Sequence, residues 1–361
     1  MSGSPVRPAP EAHPSAQPSA QPLAQRVFVA LADGEAHSGA ALAERAGVTR
    51  SAVWKAIETL RAEGLAVEAA TNRGYRLAQP AAALDAAALR TAVSASTRAR
   101  LRSLEVAWEI GSTNAALLAS PPPPVGTWDV LLAENQRQGR GRRGRAWRAA
   151  LGDSLCLSLG TACEPLPREL PAATLVVGVC VLRALRAHGA HGVALKWPND
   201  IVLGREALAK AGGILVELRA ESAGAAHMVV GIGLNLRCPA AIIRSIEPGA
   251  LPAAGLDQAG IAPASRNALA ASLIDECTQG LACFAEQGFA PFREAWRADD
   301  ALRDRAVRVA AGTGTAPPRD GHARGIDESG ALLFEGADGL RSALLAGEVS
   351  VRGRDLQGRD P

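Results

Sequence analysis

Gln136-Arg137-Gln138-Gly139-Arg140-Gly141-Arg142-Arg143-Gly144-Arg145-Ala146-Trp147 is the stretch on which the reading of this chain turns. Residues 139–145 are three glycines and four arginines. Glycine lets backbone N–H groups converge closely on an anion. Arginine adds paired donors matched to phosphate oxygens. Together they suit the charge that grows on an α-phosphate during adenylation. The competing interpretation of such a run is a disordered nucleic-acid-binding tract. Here, however, it follows a strand-like segment at 129–133 and precedes another at 155–159, so it is expected to be a loop of a folded site that takes order on binding. No G-x-x-x-x-G-K-[ST] occurs, so it is not a P-loop.

Three further clusters flank it. Ser112-Thr113-Asn114 precedes a helical stretch, where small polar residues act as an N-cap and can meet a polar ligand edge. Lys196-Trp197-Pro198-Asn199-Asp200 leads into a strand through Ile201 to Leu203, then a turn at Gly204-Arg205. Lys210 opens Lys-Ala-Gly-Gly-Ile-Leu-Val-Glu, where an ammonium could draw a carboxylate and an α-phosphate together; an exposed hairpin lysine is the plainer alternative. Gly231-Ile232-Gly233-Leu234-Asn235 is a weak dinucleotide fingerprint, without the third glycine, and reads better as a core strand ending in an asparagine.

Around these sites the chain divides. Residues 1–22 are Pro, Ala, Ser and Gln and are expected to be a disordered tail. Residues 23–79 carry a helix with Leu23, Val27 and Leu31, then a second helix capped by Ser38 with Leu42 and Ala46 on one face. Thr49 caps a third, with Val53, Ile57 and Leu60 at helical spacing. Strands at 65–67 and 75–77 around Asn72-Arg73-Gly74 complete a winged helix. Residues 85–300 mix strands (129–133, 155–159, 228–232) with helices (172–186, 267–286), and Pro121 to Pro124 mark a rigid exposed loop. Residues 303–355 show short β patterns at 307–309, 323–326, 331–334 and 348–351, the pattern of a small barrel.

Composition narrows the function classes. With 361 residues the chain can hold several domains, and a net charge of +3 argues against a general polyanion binder. The apolar run at 175–182 is too short to span a bilayer, and the N-terminus shows no secretory signal, so the expected setting is the cytoplasm, with no membrane partner. Cys156, Cys163, Cys180, Cys238, Cys277 and Cys283 form no C-x-x-C pair and read as small buried hydrophobes rather than a metal or disulfide framework.

The order of the motifs resembles biotin–protein ligases: Ser-Thr-Asn, Gln-x-x-Gly-Arg-Gly-Arg-x-Gly-Arg-x-Trp, Lys-Trp-Pro-Asn-Asp, Lys-x-x-Gly-Ile-Leu-x-Glu and Gly-x-Gly-x-Asn, behind a winged helix, cover about residues 23–355. The winged helix points to the bifunctional type that also represses biotin operons. The resemblance implies a multi-domain α+β chain: winged helix, mixed-sheet catalytic domain related to class II aminoacyl-tRNA synthetases, and SH3-like β-barrel. It implies biotin and ATP with Mg2+ as substrates, biotinyl-5′-AMP as intermediate, and a lysine of the biotin carrier protein of acetyl-CoA carboxylase as acceptor. Ser112, Thr113, Asn114 and Gln136 would line the biotin pocket. Arg140, Gly141 and Arg142 would wrap its carboxyl and the phosphates; Gly139, Arg143, Trp147 and Asn235 would lie on the nucleotide side. Lys210 would bridge carboxylate and α-phosphate, and Asp200 would activate the incoming lysine. Two places depart from the family pattern: Ala149-Ala150 stand where Ser-Pro is common after the tryptophan, and Gly152-Asp153-Ser154 replaces Gly-x-Asn.

The resemblance further implies a homodimer formed when biotinyl-AMP is bound, acting on operator DNA of biotin genes. The third helix carries Arg50, Ser51, Trp54 and Lys55, with Arg61 beyond and Arg73 and Arg76 on the wing. Yet residues 23–79 hold seven Lys/Arg against six Asp/Glu, nearly neutral for a DNA reader. A ligase with a vestigial DNA-binding domain, an adenylate sensor that has lost transfer, and a lipoate- or octanoate-transferring relative are the alternatives.

Overall fold

The computed structural model describes residues 21–70, 73–167, 169–220, 225–239, 242, 250–262, 265–311, 317–345 and 349–353. The expected tail therefore lies outside the described residues through residue 20, as does Asn72. The N-terminal unit is α1 (Leu23–Leu31), α2 (Gly39–Ala46), α3 (Arg50–Ala62) and an antiparallel pair β1 (Val67–Ala70) and β2 (Gly74–Leu77). Ser38 caps α2 by accepting from the Ala41 N–H at 3.0 Å, and Thr49 caps α3 through Ala52 at 3.3 Å. Val27, Phe28, Leu31, Leu42, Val53, Ile57 and Leu60 form the core under them. The first strand starts at Val67 rather than residue 65 because Leu65 still belongs to the helix exit, its N–H bonded to Leu60 O.

The central unit runs through α4 (Ala86–Ala92), α5 (Ala95–Arg100), β3 (Leu101–Ile110), α6 (Thr113–Ala119), β4 (Trp128–Gln136), β5 (Ser154–Cys163), α7 (Ala173–Ala187), β6 (Val193–Lys196), β7 (Asp200–Leu203), β8 (Ala209–Ala220), β9 (Ala226–Asn235), α8 (Arg266–Gln287) and α9 (Ala290–Ala298). Its seven strands make one mixed sheet, ordered β3-β4-β5-β9-β8-β7-β6; only β3 and β4 run parallel. Helices α7 and α8 pack with the sheet in the main core, while α6 lies over β4, β5 and β9.

β3 is one of the strands the sequence conceals, as is β6. A bulge between Leu101 and Ser103 puts the buried Leu101 and Leu104 three apart, which breaks the alternation by which strands are recognised. The loop of Pro121 to Pro124 is not wholly exposed either: Pro123 is buried, and the Arg102 guanidinium donates to the carbonyls of Pro121 and Pro122.

The C-terminal unit is a five-stranded antiparallel sheet of β10 (Ala306–Ala311), β11 (Arg319–Ile326), β12 (Leu332–Gly336), β13 (Arg341–Leu344) and β14 (Val349–Gly353), ordered β13-β12-β11-β10-β14. The sequence missed β13 among its polar neighbours, and Glu348, at the start of the expected last strand, lies outside the described residues. Val307, Val309, Ile326, Leu332 and Phe334 are continuous with the central core. The Trp197 indole N–H donates to Gly330 O at 3.1 Å across this junction.

Residues Leu170–Ala187, by length and mean hydropathy of 1.7, are apolar enough to cross a membrane, but 67% of the stretch is buried inside the protein, the burial of a core helix. All six cysteines are free.

Arg266 and Glu134 form an ion pair at 2.8 Å with side chains 0% and 4% exposed. Arg266 also donates to Ala82 O and Ser154 O, and Glu134 accepts from Leu84 N–H at 2.6 Å. Glu134→Ala would leave a buried guanidinium without its counter-charge, and urea unfolding is expected to show a loss of about 3–5 kcal/mol. Replacing both residues with leucine should cost clearly less.

Candidate active site

The glycine/arginine run is a short hairpin between β4 and β5. Trp147 N–H donates to Gly139 O at 2.8 Å and Gly141 N–H to Arg145 O at 2.7 Å, with a single turn of 3-10 helix at Arg142–Gly144 as its tip. Arg143 sits there in the left-handed region at φ 59°. Arg142 is half-buried, whereas Arg140, Arg143 and Arg145 are exposed.

At the base of the hairpin lies a polar side-chain network. Ser112 caps α6, with Ala115 N–H on its hydroxyl at 3.4 Å. Gln136 Oε1 accepts from Thr113 N–H at 2.8 Å and from its hydroxyl at 3.1 Å. Ser158 Oγ lies 2.6 Å from both Thr113 Oγ1 and Asn114 Oδ1. Asn114 in turn donates to Leu215 O and to Glu217 Oε2, the latter at 2.9 Å. The floor is Gly231-Ile232-Gly233: a Cβ at Gly231 would stand 2.3 Å from Asn114 Oδ1, and one at Gly233 2.5 Å from the Trp147 ring. The two glycines are therefore required by close approach of site residues, not by a dinucleotide turn.

A charged cluster adjoins this network through Trp147. Lys210 Nζ lies 2.6 Å from Asp200 Oδ1 and 5.9 Å from the Trp147 ring centroid; Lys196 Nζ lies 3.5 Å from Asp200 Oδ2. Burial alone would raise the Asp200 carboxyl, but the two ammonium groups outweigh it and hold it at about 2. Burial pushes the Lys196 ammonium and the Arg142 guanidinium below their ordinary values. Arg142 donates to Asn199 Oδ1 at 3.3 Å, and Asn199 Nδ2 to Ile214 O at 3.0 Å. Asn235 is buried and reaches Ala254 O at 3.4 Å; that segment also pins Lys210, whose N–H donates to Pro252 O and whose O accepts from Ala254 N–H.

The structure thus brings together Ser112, Thr113, Asn114 and Gln136, and beside them Lys210, Asp200, Arg142 and Trp147. Among the described residues, Arg140 and Arg143 make no hydrogen bond or ion pair with either group. Sequence reasoning missed Ser158, Glu217, Lys196 and Asn199 as site residues. Glu217, Lys196 and Asn199 stand inside the motifs named above, but Ser158 is one polar residue in a buried strand and gave no signal. The departures from the family pattern are structural: Ser154 Oγ accepts from Ala150 N–H at 2.9 Å, and Asp153 pairs with Arg237.

The winged helix grips the same loop. Glu63, the residue that ends α3, accepts from Asn135 and Arg137, both at 2.8 Å, on either side of Gln136. Beyond the hairpin, Leu151 is buried in the winged-helix core, and Phe28 meets Trp108 with ring centroids 5.8 Å apart. Arg50, Ser51, Trp54 and Lys55 share the exposed face of α3, Trp54 at 53%, and Arg73 is exposed on the wing. Arg61 and Arg76 are instead engaged with Glu58 and Glu68.

The chain is similar to known proteins. Residues 113–235 match the biotin/lipoate A/B protein ligase family, 25–76 an HTH domain and 304–352 the biotin protein ligase C-terminal domain. The chain is 37% identical to the bifunctional ligase/repressor BirA of Salmonella typhimurium, over 89% of this chain and 95% of that protein. It is 36% identical to the BirA of Escherichia coli, over 91% and 96%. The chain belongs to the bifunctional biotin ligase/repressor family. A biotin protein ligase from Aquifex aeolicus, solved with biotin and ATP, superposes with a TM-score of 0.58 at 25% identity, over 70% of this chain and 100% of that one. The expected fold class therefore holds: helix-turn-helix unit, mixed-sheet ligase fold and small antiparallel β unit. In this ligase fold Asp200 is held ionised chiefly by its two lysines. Lys210→Met is expected to move its titration above the value of about 2, readable from the carboxyl carbon in NMR. A carboxylate that still stays fully ionised to pH about 4 would show that Lys210 is not its main counter-charge.

Proposed function

We propose that the chain activates biotin with MgATP to biotinyl-5′-AMP and transfers the biotinyl group to a lysine of the biotin carrier protein of acetyl-CoA carboxylase, in the cytoplasm. A relative from Paracoccus denitrificans, 35% identical, is named biotin–[acetyl-CoA-carboxylase] ligase, which supports this acceptor. The observation that carries the reading is the meeting of Lys210, Arg142 and Asp200 beside the Ser112–Gln136 pocket, under a glycine/arginine hairpin. We take the working units as 23–79, 85–300 and 303–355.

In this reading Ser112, Thr113, Asn114 and Gln136 orient the biotin ring system, so that its carboxylate reaches Lys210. Gly141 and the guanidinium groups of Arg140 and Arg142 wrap the carboxylate and the phosphates, while Gly139, Arg143, Trp147 and Asn235 face the nucleotide. A carboxylate oxygen bonds to the α-phosphorus and pyrophosphate leaves with Mg2+, which arrives on the triphosphate. Lys210 bridges the two anions and offsets their repulsion. Asp200 takes a proton from the carrier lysine's ammonium, the freed amine bonds to the acyl carbon, AMP departs with the C–O electrons, and the amine's second proton goes to solvent. The hairpin shields the adenylate from water between the two steps.

The exposed face of Arg50, Ser51, Trp54, Lys55 and the wing residue Arg73 supports repression through operator DNA of biotin genes. The near-neutral winged helix supports binding as a homodimer assembled on the adenylate, since one copy offers little phosphate neutralisation.

Pyrophosphate exchange into ATP tests the ligase reading. Biotin should support exchange and an apo carrier domain should then be labelled; exchange with lipoate or octanoate alone would overturn the substrate. Arg142→Ala is expected to release free biotinyl-AMP about tenfold faster, measured by loss of bound labelled adenylate. Arg50→Ala/Lys55→Ala should lose adenylate-dependent operator binding in gel shift and keep ligation; unchanged binding would leave α3 without its assigned role.

A further inference from the structure

We infer that Lys196 is a positioning residue for the transfer step: it keeps Asp200 ionised and aimed after Lys210 has left Asp200 for the adenylate. This rests on the function proposed above.

The two lysines that flank Asp200 are built differently. Lys210 is 33% exposed, at the mouth of β8, with its ammonium over the bare backbone of Gly213 and beside Trp147. It has room to swing. Lys196 is 8% exposed and ends β6, where its cross-strand partner in the β6–β7 hairpin is Asp200 itself. The backbone ladder fixes that pair. The charged groups facing Asp200 are Lys196, Lys210 and, from the hairpin tip, Arg142.

In the proposed adenylation step Lys210 turns its donors to the biotin carboxylate and the α-phosphate, which draws it off Asp200 Oδ1, 2.6 Å away here. Once it moves, the buried carboxylate would take up a proton unless another cation stays close. Lys196 stays, on Oδ2, and leaves Oδ1 open. The carrier lysine's ammonium gives a proton to Oδ1. Its freed electron pair forms the C–N bond at the acyl carbon, and the C–O bond breaks with its electrons leaving on AMP. The amine's second proton goes to solvent. One lysine thus works in each half-reaction, and the hand-over exposes the base only when an adenylate is present to be attacked.

Single-turnover transfer from preformed biotinyl-AMP to an apo carrier domain, run beside biotin-dependent pyrophosphate exchange, tests this. Lys196→Met should slow transfer by about tenfold more than exchange. The acid limb of its transfer profile should shift to higher pH, because Asp200 without Lys196 protonates more readily. Lys196→Arg should restore most of the rate and the profile. Equal losses in both assays, or an acid limb that does not move, would overturn the inference. Should the methionine variant fail to fold, Lys196→Gln, which keeps a hydrogen bond without charge, is held to the same outcomes. A wild-type protein without biotin-dependent exchange would instead sink the proposed function.

Discussion

The buried ion pair between Arg266 and Glu134 fixes both feet of the glycine/arginine hairpin. Glu134 stands two residues before Gln136, and Arg266 also holds the carbonyl of Ser154, where the chain re-enters the sheet. The same two side chains anchor the 82–84 linker from the winged helix. Such a pair stabilises little over an apolar substitute, but removing one partner is costly. What it contributes is a single geometry for three segments at one point. A glycine-rich loop would otherwise have many conformations, and the pair limits that freedom to the nineteen residues, 135–153, between its feet.

From those fixed feet the site builds upward by close contact. Gln136 reaches Thr113 across from β4 to the start of α6. Ser158, from the neighbouring strand, links Thr113 to Asn114. Gly231 and Gly233 leave the space that Asn114 and Trp147 fill. The side chains of this polar network are therefore set by one another before any ligand arrives, which would lower the ordering cost of binding. The charged half is arranged by a different means, a short β6–β7 hairpin that brings Lys196 opposite Asp200.

How much of this the sequence disclosed follows from the range of the interactions. Features that act within four residues were legible: the Ser38, Thr49 and Ser112 caps, the Val53, Ile57 and Leu60 stripe, the turn before Lys210. The clustering of site residues was legible through the order of motifs rather than through any one of them. β3 was hidden because its bulge spoils the period of two, and Ser158 because one buried hydroxyl in an apolar strand carries no pattern. Glu63 looked like an ordinary charge at a helix end. Only the folded chain, seventy-two residues on, shows its bond to Asn135.

That bond gives the winged helix a stake in the hairpin. Glu63 ends the helix whose other end bears Arg50, Ser51 and Lys55, and its carboxylate holds both neighbours of Gln136. Leu151, past the hairpin, is part of the winged-helix core. Any ligand that reshapes residues 136–151 therefore works against contacts that also seat α3. Such coupling is reciprocal: if the adenylate favours one seating of the helix, DNA that favours the same seating tightens the adenylate by an equal factor. A nearly neutral reading domain makes this coupling useful rather than redundant. Strong phosphate attraction would hold the protein on DNA whatever the hairpin did. If two copies pair on DNA as proposed, weak attraction per copy would make occupancy depend on that pairing and on how each helix is seated.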